Sequence, residues 1–127
     1  MLRSNSGGRM LRCSQGDAGV FTFTAFASPG VPMNLTGASI LTRIPSIVEG
    51  AFVEIENSQH TILDQTNPDT VGQFQVAFTS IQSVQFKFTP DGTPSLEVVS
   101  VVAQNGNTTA FHGKNQLRVS RSVPRIT

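Results

Sequence analysis

The chain has 127 residues, of which 38% are hydrophobic and only 13% charged, and its net charge is +1. That length makes one domain with room for a core that needs no disulfides, and the charge fraction is about half the ~25% of ordinary globular domains. A single cysteine, Cys13, excludes an intrachain disulfide, and no run approaches the ~20 apolar residues of a membrane helix.

The charge is unevenly placed. Residues 1–16 hold Arg3, Arg9 and Arg12 and no acid, and residues 113–127 hold Lys114, Arg118, Arg121 and Arg125 and no acid. Between them, Arg43 and Lys87 stand against Asp17, Glu49, Glu54, Glu56, Asp64, Asp69, Asp91 and Glu97. An acidic body with two basic ends reads either as solvated tails or as arms that dock on an acidic surface, a neighbouring copy or a larger partner. Seven scattered basic residues make too thin a phosphate footprint to favour nucleic acid. Residues 1–13 lack the apolar stretch of a signal peptide, so a soluble chain made in the cytosol is expected.

In chain order, residues 1–17 are Ser-, Gly- and Arg-rich without periodicity and read as an N-terminal arm, flexible alone. Residues 18–27 alternate as a strand, with Phe21 and Phe23 on one face and Val20, Thr22, Thr24 and Phe26 on the other. The run Ser28-Pro29-Gly30-Val31-Pro32 ends it. Residues 35–44 read as a second strand, with Thr36, Ala38, Ile40 and Thr42 on one face, and Pro45 stops it. Residues 50–56 read as a third: Ala51, Val53 and Ile55 point inward, Phe52, Glu54 and Glu56 outward. A hairpin loop over 57–60 and a short return strand over 61–64 are expected next.

The stretch 71–111 reads as a meander that holds the sheet together. Phe74, Val76 and Phe78 share a face, as do Val84, Phe86 and Phe88. Pro90-Asp91-Gly92 and Asn105-Gly106 supply the turns, the second suited to a type I′ turn because both residues tolerate positive φ. Phe74, Val76, Phe86, Phe88, Val98 and Val102 are expected in the core. A last strand over 117–120 precedes a basic tail, residues 121–127. About eight short strands with frequent turns, and no convincing helical period, predict an all-β single β-sandwich over 18–120, jelly-roll-like or alternatively immunoglobulin-like.

Chemistry is sparse. His60 and His112 are the only histidines, and no H-x-H, C-x-x-C or H-E-x-x-H spacing accompanies them, so no metal site, cofactor or catalytic residue is assigned. Asp64, Asn67 and Asp69 lack the glycine and closing glutamate of an EF-hand loop and read as turn-capping residues. Glu54 and Glu56, roughly 7 Å apart by the strand rise, resemble a glycosidase pair only in type; on an exposed strand they read as solvation and edge protection. Sugar sites usually use Trp or Tyr platforms, both absent, while most Phe residues fit core faces. Phe52 is the exception: beside Glu54 and Glu56 it marks an interface, or a strand covered on both sides.

The 1–17 arm, the compact sandwich pattern and the 117–127 basic tail together resemble small structural proteins of tailed-phage particles, especially capsid decoration (cement) proteins. The resemblance is architectural. It implies a non-enzymatic virion component that forms a homo-oligomer, a trimer for preference, over a larger protein assembly such as a capsid, with no membrane partner. Arg3, Arg9, Met10, Leu11, Arg12, Arg118, Arg121, Val123, Arg125 and Ile126 are then the partner-binding arm residues. The alternative is a β-sandwich module that binds carbohydrate or a cell surface.

Overall fold

The computed structural model describes residues 2–4, 11–88 and 96–120. Ten strands form two sheets of an all-β sandwich: β1 (Leu2–Ser4), β2 (Leu11–Ser14), β3 (Gly19–Ser28), β4 (Val31–Pro32), β5 (Ser39–Pro45), β6 (Phe52–Ile55), β7 (His60–Ile62), β8 (Gln73–Phe78), β9 (Leu96–Gln104) and β10 (Asn107–Ser120). The first sheet runs β1-β3-β8-β7, with β4 on the end of β3; the second runs β2-β10-β9-β5-β6. Among the described residues, all strand pairings are antiparallel except β2 with β10, which is parallel.

Period-two alternation builds the core between the sheets. Phe21, Phe23 and Ala25 of β3 and Phe74, Val76 and Phe78 of β8 are buried from one side. Ile40 and Ile44 of β5, Ile55 of β6, Val98 and Val102 of β9, and Phe111, Leu117 and Val119 of β10 are buried from the other. The β9–β10 hairpin turns at Asn105 (φ 52°) and Gly106 (φ 77°), as the Asn-Gly pair predicts. β10 absorbs both strands expected after that turn. Its register shifts between Gly113 and Leu117, where four steps along β10 match two along β9; such a bulge bends a strand without ending it.

Four expectations need correction. The N-terminal segment is not an arm at its described positions. β1 pairs with β3 and β2 with β10, and Leu2 and Leu11 are buried. The edges of both sheets offer unmade backbone hydrogen bonds, and burying a leucine stabilises by roughly 1.5–3 kcal/mol, so the two described stretches pair with the chain's own body.

Second, residues 57–60 do not form a hairpin loop. A 3-10 turn at Asn57–Gln59 carries the chain to the other sheet, where β7 pairs with β8 rather than returning on β6. The Asn57 side chain accepts a bond from Ile40 N (2.9 Å), which holds the turn against β5.

Third, no strand forms over 84–89 in its described part. Thr79 and Gln82 make a reciprocal capping box that starts the one-turn helix α1 (Ser80–Ser83). The segment then crosses the end of the sandwich. Phe86 stays fully buried and bridges to Ser46, while Val84 is 47% and Phe88 36% exposed. Helical backbone places Val84 and Phe86 on different faces, which alternation could not anticipate. Fourth, the meander therefore does not exist as such: β8 lies in the first sheet, β9 and β10 in the second. Pro90-Asp91-Gly92 lies outside the described residues.

The end cover depends on Phe86, whose ring centroid is 5.4 Å from that of Phe78. Phe86→Ala is expected to cost about 3–5 kcal/mol by lost transfer energy and cavity, and Val84→Ala, at an exposed site, within about 0.5 kcal/mol. Urea denaturation of both variants checks the pair; equal costs would mean that Val84 faces the core.

Candidate interaction surface

β6 closes the second sheet at one side. Ala51 N bonds Val48 O and Ser46 N bonds Ala51 O, so the β5–β6 turn is tight and throws Ile47 and Val48 outward. Phe52 is 53%, Ile47 55% and Val48 61% exposed. The end cover lies alongside, because Ile47 N bonds Gln85 O and Lys87 N bonds Pro45 O. It brings up Ile81, at 75% the most exposed of the large apolar side chains described. Val48, Phe52 and Ile81 line one hollow with Gln82 and Gln85; Ile47, Phe52 and Glu49 line the next with Lys87. An apolar cluster of this kind, rimmed by polar groups, is the usual mark of a contact surface.

The acids expected beside Phe52 are there. Glu54 sits 3.6 Å from Arg43, its cross-strand partner, with both side chains near half exposure. Exposed pairs of this kind contribute about 0–1 kcal/mol. Glu56 is exposed just beyond the strand.

Of the expected arm residues, Leu11 faces the core and Arg12 faces out from β2. Arg118 is its parallel-register partner on β10, half-buried. The backbone of Arg3 pairs with Thr24. Arg9, Met10, Arg121, Val123, Arg125 and Ile126 lie outside the described residues. The structure thus gathers Phe52, Glu54 and Glu56 at one edge of the second sheet, and Arg12 with Arg118 at the opposite one. Ile47, Val48 and Ile81 belong to the same surface as Phe52, yet sequence reasoning missed them. Ile81 lay between two expected strands, and only the Ile47-Val48 pair after Pro45 signalled apolar exposure.

The two histidines are far apart in role. His112 meets Glu97 at 2.5 Å on the outer face of the β9–β10 hairpin. His60 lies between the sheets: Nδ1 donates to Glu56 O (2.8 Å) and Nε2 accepts from Thr42 Oγ1 (2.6 Å), which in turn meets Ser100 Oγ at 2.9 Å. Burial holds the His60 pKa below its usual value, against the opposing pull of the Glu56 and Asn57 carbonyls. Asp64 and Asn67 cap their own turns: Asp64 Oδ1 accepts from Thr66 Oγ1 (2.7 Å) and N (2.9 Å), and Asn67 Oδ1 from Asp69 N (2.9 Å). The Thr66 hydroxyl and then its amide lower the Asp64 pKa. Among the described residues, no three His, Cys, Asp or Glu side chains converge as a metal site. No helix among them is long and apolar enough to cross a membrane.

Two measurements check these environments. Because the folded His60 pKa is lowered, its contribution to stability is complete above the unfolded value, ordinarily ~6.5, and is lost as pH falls below it. The urea midpoint is therefore expected to drop between about pH 7 and 5, and His60→Gln to flatten that slope. Burial first, then the Asp17 carboxylate, push the Cys13 thiol up to about 11. A thiol reagent at about pH 8 is expected to label native Cys13 slowly and the urea-unfolded chain at once; equal rates would mean that β2 does not hold Cys13 inside.

The chain matches no protein-family model and no curated protein, so its functional reading rests on its own residues.

Proposed function

We propose that this chain is a non-enzymatic structural protein of a bacteriophage particle, of the capsid-decoration kind, made in the host cytoplasm and carried on the virion. Its partners are copies of itself, as a trimer for preference, and the larger protein shell. One observation carries the reading: Ile47, Val48, Phe52 and Ile81 each leave half or more of their surface in water, and Phe52 joins them across two adjoining hollows. A neighbouring protein surface covers such a cluster at a gain of roughly 25 cal/mol per Å² of apolar area. The low charge content of the whole chain, 13%, supports the same reading.

A second reading, a carbohydrate-binding module, draws on Phe52 itself. Its half-exposed ring stands between hollows of about 380 and 460 Å³, within the size range of small-ligand sites.

The test pairs this chain with a self-assembling shell protein sought among the genes that flank its own. Co-expressed with it, the chain is expected to co-sediment with assembled shells and to raise their melting temperature. The variant carrying Phe52→Asp and Ile81→Asp is expected to fold and stay in the supernatant. Wild-type chain left in the supernatant overturns the proposal, and retention on an immobilised glycan panel selects the second reading.

A further inference from the structure

We propose that copies of this chain join head to tail through the two edges of the second sheet, with β2 of one copy laid beside β6 of the next. Among the described residues, these two strands bound that sheet. They carry opposite charge. On β2, Leu11 is buried and Arg12 exposed, and Arg118 occupies the paired position on β10. On β6, Ile55 is buried and Glu54 exposed, with Glu56 exposed just beyond.

Laying the two edges side by side continues one sheet, so the inward and outward faces stay in phase. Arg12 of one copy then extends the outer row in which Glu54 of the next already faces Arg43 at 3.6 Å. At the new junction Arg12 meets Glu54, and Glu54 meets Arg43, so both of these cross-strand neighbours are of opposite sign, with Arg118 on the far side of Arg12. The two symmetric alternatives do not. β6 against β6 sets Glu54 and Glu56 against their own copies, and β2 against β2 sets Arg12 against Arg12.

Charged edges ordinarily guard a sheet against pairing with its neighbours. Here each edge is guarded only against itself, because the two guards are complementary. Repulsion removes the two-fold contacts and leaves the heterologous one. Such a contact leaves one β2 and one β6 unused, so it propagates and closes into a ring if the rotation between copies allows it. This goes beyond the virion reading: the contact needs no shell and belongs to the isolated chain.

Sedimentation velocity at low salt tests the proposal with four samples. Wild type is expected to associate with rising concentration, and to dissociate as salt screens the edges. Arg12→Glu alone, and Glu54→Arg with Glu56→Arg, are each expected to remain monomeric. An equimolar mixture of the two reversed proteins is expected to associate again, since the acidic β2 of one accepts the basic β6 of the other. Circular dichroism reports whether each variant keeps its sheets. If a reversed variant fails to fold, Arg12→Gln and Glu56→Gln must each weaken association instead. Wild type that stays monomeric, association that survives both reversals, or folded reversed proteins that do not associate when mixed, each overturn the proposal. A monomer that nevertheless co-sediments with shells overturns this contact and leaves the shell-binding part of the virion reading standing.

Discussion

Three phenylalanine rings hold the end of the sandwich on which the contact surface is built. Phe78 lies 4.8 Å from Phe21 and 5.4 Å from Phe86 by ring centroids, within the range in which aromatic pairs contribute beyond their area. Phe21 and Phe78 belong to neighbouring strands of the first sheet, but Phe86 belongs to the segment that crosses the open end. Its burial pulls that segment down, so that Gln15 Nε2 reaches Phe86 O at 2.8 Å and Ser83 Oγ reaches Asp17 O at 2.7 Å. This seat works with the Ile47 N–Gln85 O and Lys87 N–Pro45 O bonds to lay the segment beside the β5–β6 turn, where Ile81 lines one hollow with Val48 and Phe52. Gly19 belongs to the same constraint. A Cβ there would stand 2.7 Å from Phe78 Cζ, and that ring, packed between two others, has little freedom to move.

A second constraint is polar. Thr42 and Ser100 are directly opposed across β5 and β9 and fully buried, and His60 reaches Thr42 from the other sheet. Buried hydroxyls cost free energy unless they are bonded. A one-residue slip of β5 against β9 would turn Thr42 to the outer face and leave Ser100 and His60 without it. The apolar residues on either side, Ile40 and Ile44, would tolerate many close arrangements; the hydroxyl pair tolerates one.

The fold class was legible because alternation survives wherever a strand has one wet face. Phe21, Phe23, Phe74, Val76, Val98 and Val102 were placed inward by that pattern alone, and all are buried. What alternation cannot register is partnership between sheets. β7 and β8 looked like the continuation of their sequence neighbours, yet both cross to the opposite sheet, and the cue was a single Asn57 side chain bonded to Ile40 N. Residues 79–88 failed for another reason. The Thr79–Gln82 capping box is a four-residue signal inside a longer run of alternating apolar residues, and the longer run prevailed. At the candidate surface, Phe52, Glu54 and Glu56 were legible as outward residues of one strand. Ile81 was not, because its exposure depends on a segment whose path is set by Phe86 some residues later. The N-terminal leucines were misjudged through composition: a Ser- and Gly-rich stretch hides short strands that only a sheet edge can organise.

The position of β10 has a consequence for how the protein is made. It is inserted between β2, from the start of the chain, and β9, its own hairpin partner. A ribosome delivers β2 first and must keep it waiting, since the strand it joins is the last one described to leave the tunnel. The first sheet can assemble around β3 and β8 before that, but the second cannot close until β10 has been made. Folding of such a long-separated pairing is slow compared with local contacts. Until β10 emerges, β2 lacks the strand it pairs with in its sheet, and Leu11 and Cys13 wait for the cover that closure of the second sheet gives them.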